Sequence, residues 1–542
     1  MQEIFREFLP PPGLMPDRVL TLPEHRYPQR LNVARELVDR HVASGRGPRP
    51  AVRWKDGTLT YAGLQAQVNR MASGFRGLGI ARNDRVLIRL PNCPEFIVAW
   101  LALQKLGAIT VSTMPLLRAR ELAYIAGDSG ATWALVHAAL REELEKARPQ
   151  VPGLHTLIVV GGEGSVRWDD VAKDQPDTFD AVDTEAEDIA MIAYTSGSTG
   201  IPKGCVHTHR DILASADSYA RYVLTPTEGD VFGGHPTLAF TFGTGGLMVY
   251  PLRFGASTVL MPPFQPELML ETIQKYRVSV VFCAPTSYRL MLQVPAMEAK
   301  YDLRSLRCGV SAGETLPAAT FEEWNKRTGV KILDGIGSTE MFHIFISSMS
   351  SQVRAGATGV AVPGYDCRVV DEHGNELPPG KEGLLAIKGC TGCKYWNKPE
   401  RQAEYVRGGW NYPGDVFVKD ADGFFTYQCR NDDMIVTAGY KIPGPEVENV
   451  LDEHPAVAES AVVASPDATR GSVVKAFIVL NPAFTAGDAL AAELQEFVKK
   501  ELAPYKYPRK VEFVENLPRT ETGKIRRVEL RKRELDRGSP KP

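Results

Sequence analysis

At 542 residues the chain is too long for a single hydrophobic core, so two or more domains are expected. Its 44% hydrophobic and 24% charged content is ordinary for a soluble globular protein. With 63 basic and 65 acidic side chains the net charge is −2, which gives no electrostatic basis for binding nucleic acid. The opening MQEIFREFL lacks the basic, apolar and small-residue order of a signal peptide. The longest apolar run, Phe96–Leu103, is broken by Gln104 and Lys105 and reads as a core helix, so no membrane partner is expected. The 8 cysteines are scattered along a chain without a signal, which points to reduced thiols and a cytoplasmic protein.

Residues 1–50 are proline-rich, with one helical pattern around Val33–Val42. From Ala51 strands and helices alternate. Strands are predicted at Thr58–Tyr61, Arg85–Leu90, Ala108–Ser112, Ala131–Val136 and Thr156–Val160, with helices at Gly63–Leu78, Pro94–Leu106 and Leu117–Gly127. The rhythm resumes with buried strands at Ala190–Ala193, Ala256–Met261, Val278–Phe282 and Arg307–Ser311. This alternation predicts an α/β architecture with a mainly parallel sheet. Near Val360 it changes to a hairpin-rich β segment: Cys367–Val370, a turn at Asp371–Asn375, and Gly383–Lys388. After Asn431 a small α+β unit follows, with helices at Pro445–Glu453 and Leu490–Leu502 and strands at Val457–Val463 and Val473–Leu480. The basic tail from Lys524 reads as a solvated helix face, and no internal repeat is present.

The densest chemistry lies in Tyr194–Gly204, which packs Gly197, Gly200 and Gly204 with Thr195, Ser196, Ser198, Thr199 and Lys203. Glycines let backbone N–H groups approach an oxyanion, hydroxyls add donors, and the lysine adds charge. The stretch reads as a nucleotide-phosphate loop, or else as a polar linker. It lacks GxxxxGK[ST] spacing, so it is not a P-loop of the kinase and ATPase type. A second site, Ile332–Glu340, places Ser338, Thr339 and Glu340 after two glycines. A carboxylate beside hydroxyls suits Mg²⁺ on ATP oxygens, and the alternative is a helix cap by Glu340. Gly409–Asp415 ends in an acid on a tight turn, and Cys429–Ile435 places Arg430 at a strand end: Asp415 could accept both ribose hydroxyls with Arg430 steadying the sugar or phosphate, or each could be an ordinary turn acid or surface ion pair. Lys524, in the glycine-flanked Pro518–Arg526 loop, could neutralise charge in a phosphoryl or adenylyl transition state.

These five stretches, in this order, resemble the ANL superfamily of adenylate-forming enzymes, which includes acyl-CoA synthetases, adenylation domains of peptide synthetases and luciferases. The resemblance runs from about Leu59 to Arg527; Ile336 and Gly337 depart from the usual pairing before Thr339-Glu340. It implies an α/β fold with a large N-terminal domain of stacked α/β sheets and a β-rich subdomain, residues 1–431. A small mobile α+β C-terminal lid, residues 432–542, would follow. It assigns Thr195, Ser196, Thr199 and Lys203 to the ATP phosphates, in a loop completed by Gly197, Ser198 and Gly200. Gly313, Glu314 and Thr315 would line the adenine, with Asp334 and Gly335 in the same nucleotide site. Asp415 and Arg430 would bind ribose, and Thr339 and Glu340 the α-phosphate and Mg²⁺. Lys524 would be the adenylation lysine and Asp432 the hinge, and the loop from Gly439 to Ile442 would line a tunnel for a thiol. The implied cofactors are ATP, Mg²⁺ and coenzyme A. The implied reaction is carboxylate attack on the α-phosphate, lid rotation, and displacement of AMP by the thiolate.

Within the superfamily, Ser311–Glu314 and Asp334–Phe345 look most like benzoate-type CoA ligases, and the 2-aminobenzoate group is nearest because Gly389–Tyr395 and Asp432–Tyr440 also resemble it. The acid pocket would then comprise Phe240, Thr241, Phe242, Gly243, Ser311, Ala312, Gly335, Ile336, Gly337, His343 and Ile344. Aromatic walls suit a flat ring. His343 is either a substrate contact or a structural histidine, and Phe240 falls where relatives carry an aromatic gate. Cys390 and Cys393 have no second cysteine pair to complete a zinc site. Three readings compete: an aryl-CoA ligase, an enzyme activating another ring or medium-chain acid or loading a carrier protein, and a non-catalytic nucleotide binder. The joint presence of Glu340, Asp415, Arg430 and Lys524 argues against the last. The implied partner is a small aromatic carboxylic acid, and a monomer or homodimer is expected.

Overall fold

The computed structural model describes residues 3–195, 202–261, 263–437, 440–467, 471–502, 506–520 and 523–538. The chain divides into two compact units. The first is Met1–Cys367 with Ile387–Tyr412, and the second is Arg368–Ala386 with Pro413–Pro542.

Two large sheets build the first unit. Among the described residues one has seven strands, in the order Val166–Arg167, Thr156–Val160, Trp133–His137, Arg85–Arg89, Ile109–Ser112, Ile189–Thr195, Lys203–Thr208. All neighbours are parallel except the last pair. The other has nine, from Val360–Ala361 through Ile344–Ser347, Ile332–Gly337, Cys308–Ser311, Val280–Cys283, Val231–Gly234, Ser257–Val259 and Pro50–Trp54 to Gly57–Thr60. Its five central pairings are parallel and those at its two ends antiparallel. The expected mainly parallel α/β fold is therefore present, with antiparallel strands added at the edges.

Local chemistry sets the element ends. Pro94–Leu106 has Pro at its first turn, where the missing N–H costs nothing, and Gly107 at φ 70° closes it by donating to the Gln104 carbonyl. That helix is buried on every face from Phe96 to Leu106, which explains its lack of a polar stripe. The helix expected from Gly63 begins at Tyr61, because the Thr60 side chain caps it by accepting from the Gly63 N–H. The pattern at Val33–Val42 forms a helical stretch with widened π turns at Arg35–Asp39 and Val42–Arg46.

In the second unit, Val457–Asp467 pairs antiparallel with Gly471–Leu480, which pairs parallel with Lys510–Phe513. The helices Gly444–Asp452 and Asp488–Glu501 pack an apolar core that includes Ile442, Val447, Leu451, Val462, Ile478, Leu494 and Val498. A third helix, Arg527–Gly538, buries Leu530 against Ala461, Val463 and Phe477. Its Glu534 is equally buried and takes an ion pair from Lys475, so this part of the basic tail has a packed face as well as a solvated one. The β segment also lies partly here: Asp415–Lys419 pairs with Phe425–Arg430 and with the start of Glu382–Gly389.

Candidate active site

Ser196, Gly197, Ser198, Thr199 and Gly200 lie outside the described residues, but the stem of their loop does not. Ile189–Thr195 and Lys203–Thr208 pair antiparallel, so Thr195 faces Lys203 and Tyr194 faces Gly204. A Cβ on Gly204 would come within 2.9 Å of Ile192 Cγ2, so only glycine lets the stem close here. Asp128 braces the stem. Its carboxylate accepts from Tyr194 Oη at 2.7 Å and from Lys398 Nζ at 2.7 Å, and its carbonyl accepts from Trp396 Nε1 at 2.9 Å.

The outer strand of this stem is an edge strand, and residues 394–396 cover it. Val206 N donates to Lys394 O at 2.8 Å, Trp396 N donates to Gly204 O at 2.8 Å, and Cys205 bridges Tyr395. The three side chains have separate tasks. Trp396 enters the apolar core and stacks on Phe8 at 4.8 Å. Lys394 pairs with Asp211, which also receives Arg18 at 3.1 Å. Burial alone would raise the Asp211 pKa, but Lys394 and Arg18 hold it well below the usual carboxylate range. Tyr395 places its ring 5.1 Å from Lys203 Nζ and donates its hydroxyl to Glu340 Oε1 at 2.6 Å. Burial, and next the Glu340 charge, push that phenol far above its ordinary pKa, so it stays a donor.

Thr339 and Glu340 sit in the tight connection between Ile332–Gly337 and Ile344–Ser347, which Phe342 completes at φ 70°. His207 Nε2 lies 2.8 Å from the Thr339 carbonyl. Burial lowers the His207 pKa to about 4, so the ring is neutral at pH 7 and Nε2–H is the donor. The Thr391 hydroxyl donates to Met341 O at 2.7 Å and fixes the other side of the turn. Glu340 is 8% exposed, and its Oε2 has no hydrogen-bond partner among the described residues. A carboxylate with one oxygen uncommitted beside a threonine hydroxyl is a hard oxygen donor set, which fits Mg²⁺.

The residues predicted to line the acid pocket come together in part. Thr241–Thr244 forms one short helical turn, closed by Thr244 donating its N–H to Phe240 O and its hydroxyl to Leu238 O. Asn92 brackets the approach to it by donating to Pro236 O and accepting from Leu238 N. His343 is enclosed by the rings of Tyr250, Tyr219, Phe242 and Phe282, at centroid distances of 4.7, 5.3, 5.5 and 6.3 Å. Its Nε2 reaches Phe242 O at 3.4 Å, while Nδ1 is buried without a partner. Burial lowers its pKa to about 3, so it is neutral. Gly245 permits the enclosure, since a Cβ there would lie 2.5 Å from the imidazole. Ile344 and Ala312 are buried, Ile336 is partly covered, and Gly337 is exposed.

Ser311 Oγ donates to Asp334 Oδ1 at 2.8 Å, joining two predicted site residues on adjacent strands. Burial pushes the Asp334 carboxyl up to about 8, against the opposing hydrogen bonds from Ser311 and the Gly335 N–H. The Gly335 backbone pairs with Ser347 across the sheet. Gly313 sits at φ 96°, Glu314 accepts from Thr286 Oγ1 at 2.8 Å, and Thr315 is exposed.

In the second unit Asp415 and Arg430 are register partners, at 3.3 Å between Oδ1 and Nη1. Asp432 belongs to the turn Asn431–Asp433; its side chain and Gly439 lie outside the described residues. Tyr440–Pro443 pairs with Met434–Thr437, and Ile442 is buried in the core of this unit. The lysine loop is a tight closure in which Thr520 N donates to Lys524 O, Thr520 Oγ1 accepts from Lys524 N, and Gly523 turns at φ 88°. Lys524 is exposed. Arg527, just beyond it, binds both carboxylate oxygens of Glu448, which also accepts from Val462 N at 2.7 Å.

Sequence reading gave no role to Tyr395, Asp128, His207 or Asn92, because each acts on a partner more than 60 residues away. Cys390 and Cys393 are buried and form no disulfide, and no cluster of three or more His, Cys, Asp or Glu side chains that could hold a metal ion occurs among the described residues. No described helix is long and apolar enough to cross a membrane.

The chain belongs to the AMP-binding enzyme family. The family pattern matches residues 39–395, and that of the AMP-binding enzyme C-terminal domain matches residues 446–524. Within the family it is an AMP-forming acid–thiol ligase. Among its relatives, the benzoate–CoA ligase of Thauera aromatica is 39% identical over 519 residues, covering 95% of this chain and 98% of that protein. The crystal structure of an anthranilate CoA ligase in complex with anthranoyl-AMP superposes with a TM-score of 0.91 at 35% identity, over 96% of this chain and 100% of the other. A benzoate CoA ligase from Burkholderia xenovorans LB400 gives a TM-score of 0.84 at 34% identity, over 92% and 99%.

Proposed function

We propose that this enzyme is an ATP-dependent aryl-CoA ligase acting on benzoate or 2-aminobenzoate. The observation that carries this reading is the aromatic enclosure of His343, formed with Tyr219, Tyr250, Phe242 and Phe282. A wall of rings favours a flat acid through offset and edge contacts over a flexible aliphatic chain. The buried, unpartnered Nδ1 of His343 is an acceptor suited to an ortho amino group. The likeness to a benzoate ligase and to a ligase crystallised with anthranoyl-AMP supports the same class.

In this reading Thr195, Ser196, Thr199 and Lys203 hold the phosphates. Gly313, Glu314 and Thr315 flank the adenine, and Asp415 and Arg430 receive the ribose. A carboxylate oxygen of the acid attacks the α-phosphorus, and pyrophosphate leaves. Lys524 neutralises the charge that builds on the phosphate oxygens. Mg²⁺, when bound, would be held by Glu340 beside Thr339 and would supply further neutralisation there. Rotation about Asp432, between residues 1–431 and 432–542, then withdraws Lys524. The segment from Gly439 guides the thiol, whose sulfur attacks the acyl carbon and expels AMP.

The test is AMP release with ATP and Mg²⁺ across benzoate, 2-aminobenzoate, a hydroxybenzoate, cinnamate and hexanoate, with and without CoA. CoA-dependent turnover that is fastest with a benzoate is expected. A preference for hexanoate would overturn the ring-acid assignment. Pyrophosphate exchange without CoA-dependent turnover would move the acceptor to a carrier protein.

A further inference from the structure

We propose that Tyr395 is a positioning residue for adenylation: its hydroxyl aims the Glu340 carboxylate while its ring seats the phosphate-loop lysine, Lys203. The inference rests on the reading of Glu340 as the Mg²⁺-facing acid. Tyr395 lies 55 residues beyond Glu340 and 192 beyond Lys203 in the chain, yet meets both. Its Oη–H donates to Glu340 Oε1 at 2.6 Å, and Oε2 has no partner among the described residues. The hydrogen bond therefore holds one oxygen and leaves the other uncommitted among the described residues, which pre-orients a ligand that would otherwise sample several rotamers. The ring face lies 5.1 Å from Lys203 Nζ, close enough to bias a flexible four-carbon cation toward one position.

The backbone of Tyr395 is itself clamped. On one side Lys394 is buried at 3% exposure in its pair with Asp211; on the other Trp396 is buried at 1%. Both neighbours also hydrogen-bond the outer strand of the phosphate-loop stem. The tyrosine thus couples the loop that grips the phosphates to the acid that would face their metal.

The experiment is calorimetric titration of ATP into wild type, Tyr395→Phe, Glu340→Gln and the double variant, at a series of Mg²⁺ concentrations and in EDTA, without acid or CoA. Tyr395→Phe is expected to raise the Mg²⁺ concentration needed for half-maximal enhancement of ATP binding by roughly tenfold, the scale of one lost charge-assisted hydrogen bond. ATP binding in EDTA stays unchanged, because the ring beside Lys203 remains. In the double variant the tyrosine substitution adds nothing to the effect of Glu340→Gln. A normal Mg²⁺ response in Tyr395→Phe, with a weakened one in Glu340→Gln, would overturn the tyrosine assignment alone. A normal response in both would overturn the metal reading of Glu340 and the proposal with it. Phe fills the same volume, and the thermal midpoint verifies the fold. Tyr395→Met, which fills the slot without ring or hydroxyl, is the second variant; it is expected to weaken ATP binding in EDTA as well, and unchanged binding would overturn the role of the ring.

Discussion

Arg430 and Asp415 face each other across a hairpin, and Arg430 Nη1 also donates to the Pro413 carbonyl at 2.6 Å. The guanidinium thereby fixes the turn that presents the carboxylate. Gly414 sits at φ 83°, where a side chain would be strained and would lie 3.0 Å from the same guanidinium. In the proposed reading Asp415 accepts the two ribose hydroxyls. Asp415→Ala is expected to raise the KM for ATP by roughly tenfold to a hundredfold, the value of one or two hydrogen bonds to a charged acceptor. Kinetics with ATP and 2′-deoxy-ATP check this: the wild type discriminates between them and the variant does not.

Lys524 stands on a loop whose base is rigid. The bidentate Arg527–Glu448 pair ties the residues after it to the core of its own unit. Lys524→Ala should therefore leave the fold intact and slow acyl-adenylate formation by roughly 10²–10³-fold, the usual loss for one charge-stabilising group. Thioester formation from supplied acyl-adenylate should remain within a few-fold of wild type. Stopped-flow measurement of each half-reaction decides it, and equal loss in both would refute the alternating role.

The carboxyl of Asp334 titrates near 3.8 when unperturbed and near 8 in the folded protein. Between these values the folded state holds a proton that the unfolded state has released. Stability contributed by this group is complete at low pH and is lost as pH rises toward 8, by at most about 1.4 kcal/mol per pH unit. Asp334→Asn keeps the acceptor for Ser311 and cannot ionise. Its stability relative to wild type should climb between pH 5 and 8 in urea unfolding, and parallel curves would contradict the buried neutral carboxyl.

His343 is neutral at pH 7, since burial lowers its pKa to about 3. Its Nδ1 is an acceptor without a partner. The wild type should favour 2-aminobenzoate over benzoate by about threefold to tenfold in kcat/KM, the worth of one neutral hydrogen bond. His343→Phe should remove that preference while keeping benzoate as a substrate. Paired kcat/KM values for the two acids are the measurement.

The elements that residue chemistry sets locally were legible in the sequence. Pro94–Leu106 has both predicted ends because proline and glycine mark them chemically. The third helix was predicted from Leu117 and starts at Ala119, because the buried Arg89 guanidinium takes the carbonyls of Met114, Pro115 and Leu117 and holds that stretch as a loop. Glu121 then caps the helix by accepting from Arg118 N at 3.0 Å. The second strand of the phosphate-loop stem, Lys203–Thr208, was not read as a strand, since its polar and apolar residues follow no clean alternation. Of the candidate site, the Asp415–Arg430 and Ser311–Asp334 pairs unite residues that motifs had already marked. Tyr395, Asp128 and His207 came only from the folded chain, because a hydrogen bond between distant segments leaves no spacing to read.

The docking of residues 394–396 on the phosphate-loop stem bears on how such ligases recombine. A chimera that exchanges only the acid-pocket segment, with crossovers between Glu340 and Tyr395, would join a carboxylate from one parent to a phenol and lysine from the other. With one crossover before Tyr194 and the other after Trp396, the acid, the phenol and the lysine would move as one inherited block.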